Sequence, residues 1–212
     1  MGLSFLQSQL RAFRHSATLP IVRVRAIRGD LMGRLLDWGA AGIMVLHVNT
    51  FAQAQAYVQA MRYPPMGTRG VSRSVRAYRF RFEPIDINLA SPTPLLMVQI
   101  ETSEAVLQAE QIAQVDGVDV LFVGPADLNY DLDHGIRSHG LTYPECLKHV
   151  VSAARNHGKS TGILMRGSSE PGATTPPELQ WLAVESDLGI LRNTYQSLLQ
   201  RIPPRNPDSC KS

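Results

Sequence analysis

The sequence predicts an α/β fold with a parallel sheet or barrel, and three observations carry that prediction. Short apolar runs rich in β-branched residues recur along the 212 residues. Most are nearly continuous rather than alternating, as in strands covered on both faces. Between them lie stretches with helical spacing, so strand and helix alternate in the manner of a parallel sheet or barrel.

Six runs read as strands: residues 19–24, 42–48, 95–100, 118–123, 160–165 and 188–191. The intervening helices follow from spacing and end signals. Residues 30–38 place Leu31, Arg34, Leu35 and Trp38 on one side and stop at Gly39. Residues 50–61 are rich in Ala and Gln, with Thr50 as cap. Residues 103–113 are similar, with Thr102 or Ser103 as cap. Residues 144–157 open on Pro144 and stop at Gly158. A last helix begins near Gln196 and runs to Arg201. The interval 63–94 is too long for a simple connector and is expected to be functional or to carry its own helix. Residues 166–177 read as a loop, and 203–212 as a disordered polar tail.

Composition narrows the class. With 44% hydrophobic and 18% charged residues, the chain is globular rather than disordered. At roughly 150 residues per domain it is one domain, here 1–202. No apolar run reaches the roughly 18–20 residues of a membrane span, and the start of the chain does not read as a secretory signal. Cys146 and Cys210 read as free thiols of a reducing compartment, and the expected location is the cytoplasm. The net charge is only +3, but Arg69, Arg73, Arg76, Arg79 and Arg81 cluster with Tyr78, Phe80 and Phe82 between them. Such a cluster can bind nucleic acid. No nucleic-acid module accompanies it, and the reading adopted is a solvated face near an anionic small-molecule site, with neither nucleic acid nor membrane as partner.

In folds of this kind ligands bind at the carboxyl ends of the strands. The polar residues expected there are Arg23, Gln99, Glu101 and Asp127. Two carboxylates from adjacent strand ends suit a hard divalent cation, and a nearby arginine suits a carboxylate or a developing enolate. The competing readings are a helix-dipole carboxylate for Glu101 and a helix cap for Asp127.

Three segments carry a resemblance. They are Tyr63-Pro64-Pro65-Met66-Gly67-Thr68-Arg69, Val98-Gln99-Ile100-Glu101-Thr102, and Gly124-Pro125-Ala126-Asp127-Leu128. In this order and spacing the chain resembles the HpcH/HpaI family of pyruvate-dependent class II aldolases. The resemblance implies a (β/α)8 TIM barrel of the phosphoenolpyruvate/pyruvate-binding type, here incomplete, with about six strands visible. It implies reversible cleavage of a 4-hydroxy-2-oxo acid to pyruvate, or a related 2-oxo acid, and an aldehyde. A divalent cation (Mg²⁺, Mn²⁺ or Co²⁺) would be held by Glu101 and Asp127. Gln99 and the backbone at Ala126 and Asp127 would hold the substrate. Arg23 matches the arginine that stabilises the enolate-like transition state, and Asp37 the aspartate that raises the basicity of a catalytic histidine. A homo-oligomer is implied as well.

The sequence departs from the family pattern at the base. The D-x-E-H segment that carries the catalytic histidine does not occur in these residues. Aligned on the family, residues 1–14 match the helix after that segment, and the domain reads as N-terminally truncated. Among the histidines present, His47 closes the second run, at the functional end of its strand, where a tolerated substitution is the competing reading. Two alternatives to the aldolase stay open: a chain that binds metal and 2-oxo acid without turnover, and an oxaloacetate decarboxylase, whose chemistry needs no base for a hydroxyl proton.

Overall fold

Each strand pairs with the next in the chain, and every pairing is parallel. The computed structural model describes residues 2–72, 74–75, 93–135, 140–165 and 178–202. Its strands are β1 (Ile21–Val24), β2 (Gly42–Val45), β3 (Leu95–Ile100), β4 (Val120–Val123), β5 (Ser160–Met165) and β6 (Trp181–Val184), in the spatial order β1-β2-β3-β4-β5-β6. The helices are α1 (Leu3–Ala12), α2 (Gly29–Asp37), α3 (Phe51–Met61), α4 (Ser103–Leu107), α5 (Ala109–Ala113), α6 (Pro125–His134), α7 (Tyr143–Asn156) and α8 (Asp187–Arg201). Six parallel strands with helices on the outside form a curled half-barrel, the incomplete (β/α) barrel that the sequence predicts.

The period-two alternation of the strands divides the core in two. Ile43, Val45, Leu96, Val98, Ile100, Leu121 and Val123 face the helices and join the large cluster with Leu35, Val58, Ile112 and Val150. Met97, Val120 and Phe122 face the other way and pack with Ile21, Met44, Leu164 and Ala183. The second set lines the inside of the half-barrel. Residues of the same parity at the strand ends therefore share that interior: Arg23 follows Ile21, and Gln99 and Glu101 follow Met97.

The caps hold the helices at their starts. Thr50 accepts a hydrogen bond from the Gln53 amide and opens α3, and Thr102 accepts one from the Ala105 amide and opens α4. Thr142 and Glu145 form a reciprocal capping box at α7.

Three elements differ from the sequence expectation. The helix expected over 103–113 is broken at Gln108 into α4 and α5. A helix absent from the sequence reading, α6, follows β4, and Pro125 supplies the fixed φ of its first turn. The sixth strand is Trp181–Val184 rather than 188–191. The run 188–191 belongs to α8, where the Ser186 side chain accepts from the Gly189 amide and starts the helix. Its apolar residues Leu188, Leu191, Tyr195 and Leu198 recur at helical intervals, and a window of four residues cannot distinguish that from a strand. The arginine cluster from Arg73 onward, residues 166–177 and the tail from 203 lie outside the described residues.

Candidate active site

Glu101 is the centre of the strand-end rim. It follows directly on β3, is 2% exposed, and both its oxygens are engaged. Gln99 Nε2 donates to Glu101 Oε1 at 2.8 Å. The His47 backbone amide donates to Oε2 at 3.3 Å, and His47 Nδ1 lies 3.3 Å from the same oxygen. Burial pushes the Glu101 carboxyl above its usual range. The charges of His47 and Arg23 and the His47 N–H pull it back, while the neighbouring charge of Asp127 pushes it further up.

Gly124, just after β4, makes the space for this carboxylate. A Cβ there would stand 2.7 Å from Glu101 Cγ and Oε1, closer than any real contact. Gln99 is 4% exposed, and among the described residues its Oε1 has no hydrogen-bond partner. Its orientation is fixed by the carboxylate, which can only accept, so Nε2 must face Glu101 and Oε1 must face away. A buried acceptor left open beside a buried carboxylate is a place prepared for a donor from outside the described residues.

The other predicted residues divide into two groups. Ala126 and Asp127 are exposed in the first turn of α6, beside Glu101 on the rim, with amides that the helix ladder does not use. Arg23 is exposed in β1, and its charge reaches Glu101. Asp37 is not brought to the rim. It ends α2, which runs back towards the start of β2, and Arg69 Nη2 donates to its Oδ1 at 2.6 Å. Arg69 is buried and stacks its guanidinium 4.6 Å from the Tyr63 ring centre. The Tyr63-to-Arg69 segment thus lies at the base of the sheet. Its neighbour Arg62 donates there to the carbonyls of Pro94 at 2.7 Å and Gly117 at 3.1 Å.

His47 is the residue that sequence reasoning undervalued. Its backbone sits at φ 51°, a left-handed conformation that costs a non-glycine residue about 1–2 kcal/mol and that His tolerates better than most. That turn brings the amide and the ring of one residue onto one oxygen. The only sequence signal was a histidine at the end of the second run.

Among the described residues no three His, Cys, Asp or Glu form a preassembled metal cage. A hard divalent ion does not require one, since it binds through one or two carboxylates with water and substrate completing the shell. Glu101, its neighbour Asp127 and the open Gln99 Oε1 fit such an ion with its water or substrate.

The HpcH/HpaI aldolase/citrate lyase family matches residues 2–175. The chain belongs to this family. It is 39% identical over 200 residues to the hydroxypyruvate/pyruvate aldolase of Delftia acidovorans, covering 92% of this chain and 73% of that one. Similarity to the 5-keto-4-deoxy-D-glucarate aldolase of Citrobacter koseri is 37% over 191 residues, 90% of this chain and 74% of the relative. Among solved structures, an HpcH/HpaI aldolase from Desulfitobacterium hafniense superposes with a TM-score of 0.84 at 25% identity, covering 98% of this chain and 82% of that one. An HpcH/HpaI aldolase/citrate lyase family protein from Burkholderia cenocepacia does so at 0.80 and 32%, with 92% and 79% covered. The chain is thus a member of a lyase family. No helix among the described residues is long and apolar enough to cross a membrane.

Proposed function

We propose that the chain is a divalent-metal-dependent aldolase-type lyase that reversibly cleaves a 4-hydroxy-2-oxo acid into pyruvate, or a related 2-oxo acid, and an aldehyde. The observation that carries this reading is the open Gln99 Oε1, buried beside the Glu101 carboxylate. Aldolase relatives at 37–39% identity support it.

Glu101 and Asp127 would hold the cation, which when bound supplies the positive charge that offsets a developing enolate. The chain's own residues do the rest. Gln99 accepts from an O–H of the substrate or of water through Oε1. The first-turn amides of α6, at Ala126 and Asp127, face the substrate carboxylate with the positive end of a ten-residue helix behind them. Arg23 adds a second positive charge on the same side. Gly124 keeps the Glu101 carboxylate free of a clash. Asp37 is committed to Arg69, and no proton transfer is assigned to it within the chain.

Purified protein supplied with Mg²⁺, Mn²⁺ or Co²⁺ is expected to release pyruvate from a panel of 4-hydroxy-2-oxo acids, and a chelator is expected to stop it. No pyruvate above the metal-only control, from aldehyde halves both neutral and carboxylate-ended, would remove the aldolase reading. A second activity would draw on the same residues: oxaloacetate decarboxylation uses the same anion stabilisation by the cation and Arg23, without a base at C4. The same assay with oxaloacetate tests it, and consumption equal to metal alone eliminates it. The reading includes a homo-oligomer, supported by the apolar side chains that α8 leaves exposed, Leu188, Ile190, Leu191 and Leu199 among them. Light scattering in solution would report a single-chain mass if that part is wrong.

A further inference from the structure

We propose that His47 supplies a nitrogen ligand, Nδ1, to the cation held by Glu101, making the centre a mixed nitrogen–oxygen site rather than an all-oxygen one. This rests on the reading that Glu101 and Asp127 hold a divalent ion.

The first argument is distance. Two donors that share one ion at about 2.1 Å, with an angle of 90° to 109° between them, stand roughly 3.0–3.4 Å apart. His47 Nδ1 and Glu101 Oε2 are 3.3 Å apart. The second is how the ring is held. The amide of the same residue donates to the same oxygen, and the positive φ fixes the turn between amide and ring. The ring is therefore aimed by backbone geometry. The third is what else the ring does. Its side chain is 59% exposed and its one described partner is Glu101, so Nε2 is left to water. Two other described histidines are tied elsewhere. His157 Nε2 lies 2.8 Å from Glu110 Oε1, and His134 Nδ1 lies 3.1 Å from the Tyr130 carbonyl oxygen with its ring stacked on Tyr130.

Coordination needs the neutral ring with its hydrogen on Nε2. Any hydrogen on Nδ1 must therefore leave as the ion binds, to Nε2 by way of solvent in a neutral ring or to solvent from a doubly protonated one. Glu101 Oε2 keeps the hydrogen bond from the His47 amide. An imidazole donor favours Co²⁺, Ni²⁺ and Zn²⁺ over Mg²⁺, which prefers oxygen and water.

The test is titration calorimetry of metal-stripped protein with Mg²⁺, Mn²⁺, Co²⁺ and Zn²⁺, comparing wild type with His47→Asn. Asn tolerates the left-handed backbone, and thermal unfolding without metal checks that the variant folds. Loss of Co²⁺ and Zn²⁺ affinity by about tenfold or more, with Mg²⁺ affinity nearly unchanged, is expected for removal of a nitrogen ligand. A second measurement needs no variant. The Co²⁺-loaded wild type should show a strongly shifted, exchangeable imidazole N–H resonance in its proton spectrum, absent from His47→Asn. Equal affinities in both proteins with no such resonance would overturn the role of His47 and leave the carboxylate site standing. No binding of any of these ions to wild type would overturn both. Glu101→Gln should lose all four ions and marks that second outcome.

Discussion

The two ends of the sheet use the same kinds of side chain to opposite effect. At the base, Arg62 reaches two backbone carbonyls and lies 3.8 Å from Asp119, whose carboxylate in turn accepts from the Leu96 amide at 2.7 Å. Arg69 pairs with Asp37 and covers Tyr63, and its buried Nε has no hydrogen-bond partner among the described residues. At the rim, Glu101 is as deeply buried, yet Gln99 beside it keeps an open acceptor, and His47 is aimed at it by a strained backbone. Charge at the base is consumed in joining β3, β4 and the segment after α3. Charge at the rim is left over, and the fold bears the cost of burying it.

The largest effect that would sharpen this comparison is at the base. Arg62→Ala leaves the carbonyls of Pro94 and Gly117 without this donor, and should cost about 1–3 kcal/mol for each carbonyl stranded, read by denaturant unfolding. Metal affinity of the protein that remains folded should be unchanged; a weakened affinity would mean that the two ends are coupled. Next, Gly124→Ala at the rim should leave stability nearly unaltered but displace Glu101, cutting turnover by about a hundredfold as misplacement of a reacting group by an ångström does. Normal turnover would show that Glu101 can shift freely. Third, Thr102→Ala removes the α4 cap and the hydrogen bond to Asn49, and should lower stability by about 1 kcal/mol. The smallest effect concerns pH. Because burial raises the Glu101 carboxyl, its stabilising protonated form is complete below the ordinary carboxylate range and is lost as pH rises through the raised value. Glu101→Gln should therefore raise Tm of the metal-free protein more at pH 7 than at pH 4. A Tm difference that is flat or reversed with pH would mean that the buried charge is not a burden.

What the sequence disclosed follows the range of the interactions. Buried strands such as β3 and β4 announce themselves as apolar runs, and Thr50 and Thr102 mark helix starts within three residues of the amides they cap. Gln99, Glu101 and Asp127 were legible as strand-end polar residues because parallel sheets bind ligands there. The contact between His47 and Glu101 was not, since it joins residues 54 apart through a backbone turn that no local pattern encodes. The Asp37–Arg69 pair spans 32 residues and was equally hidden. Strand β6 failed for a different reason. Trp181, Leu182 and Val184 are exposed, so no buried run marks the strand, while the more apolar segment beyond it is helical.

The strict strand order has a kinetic meaning. With β1 paired only to β2 and β6 only to β5 among the described residues, the sheet is a ladder with two free ends. Such a ladder opens by losing rungs from its ends, each at the cost of a single interface. Backbone amides of β3 and β4 should then exchange with solvent last and those of β6 first. Because Glu101 follows β3 and Gly124 follows β4, the strand-end rim around Glu101 stands on the part of the ladder expected to open most rarely.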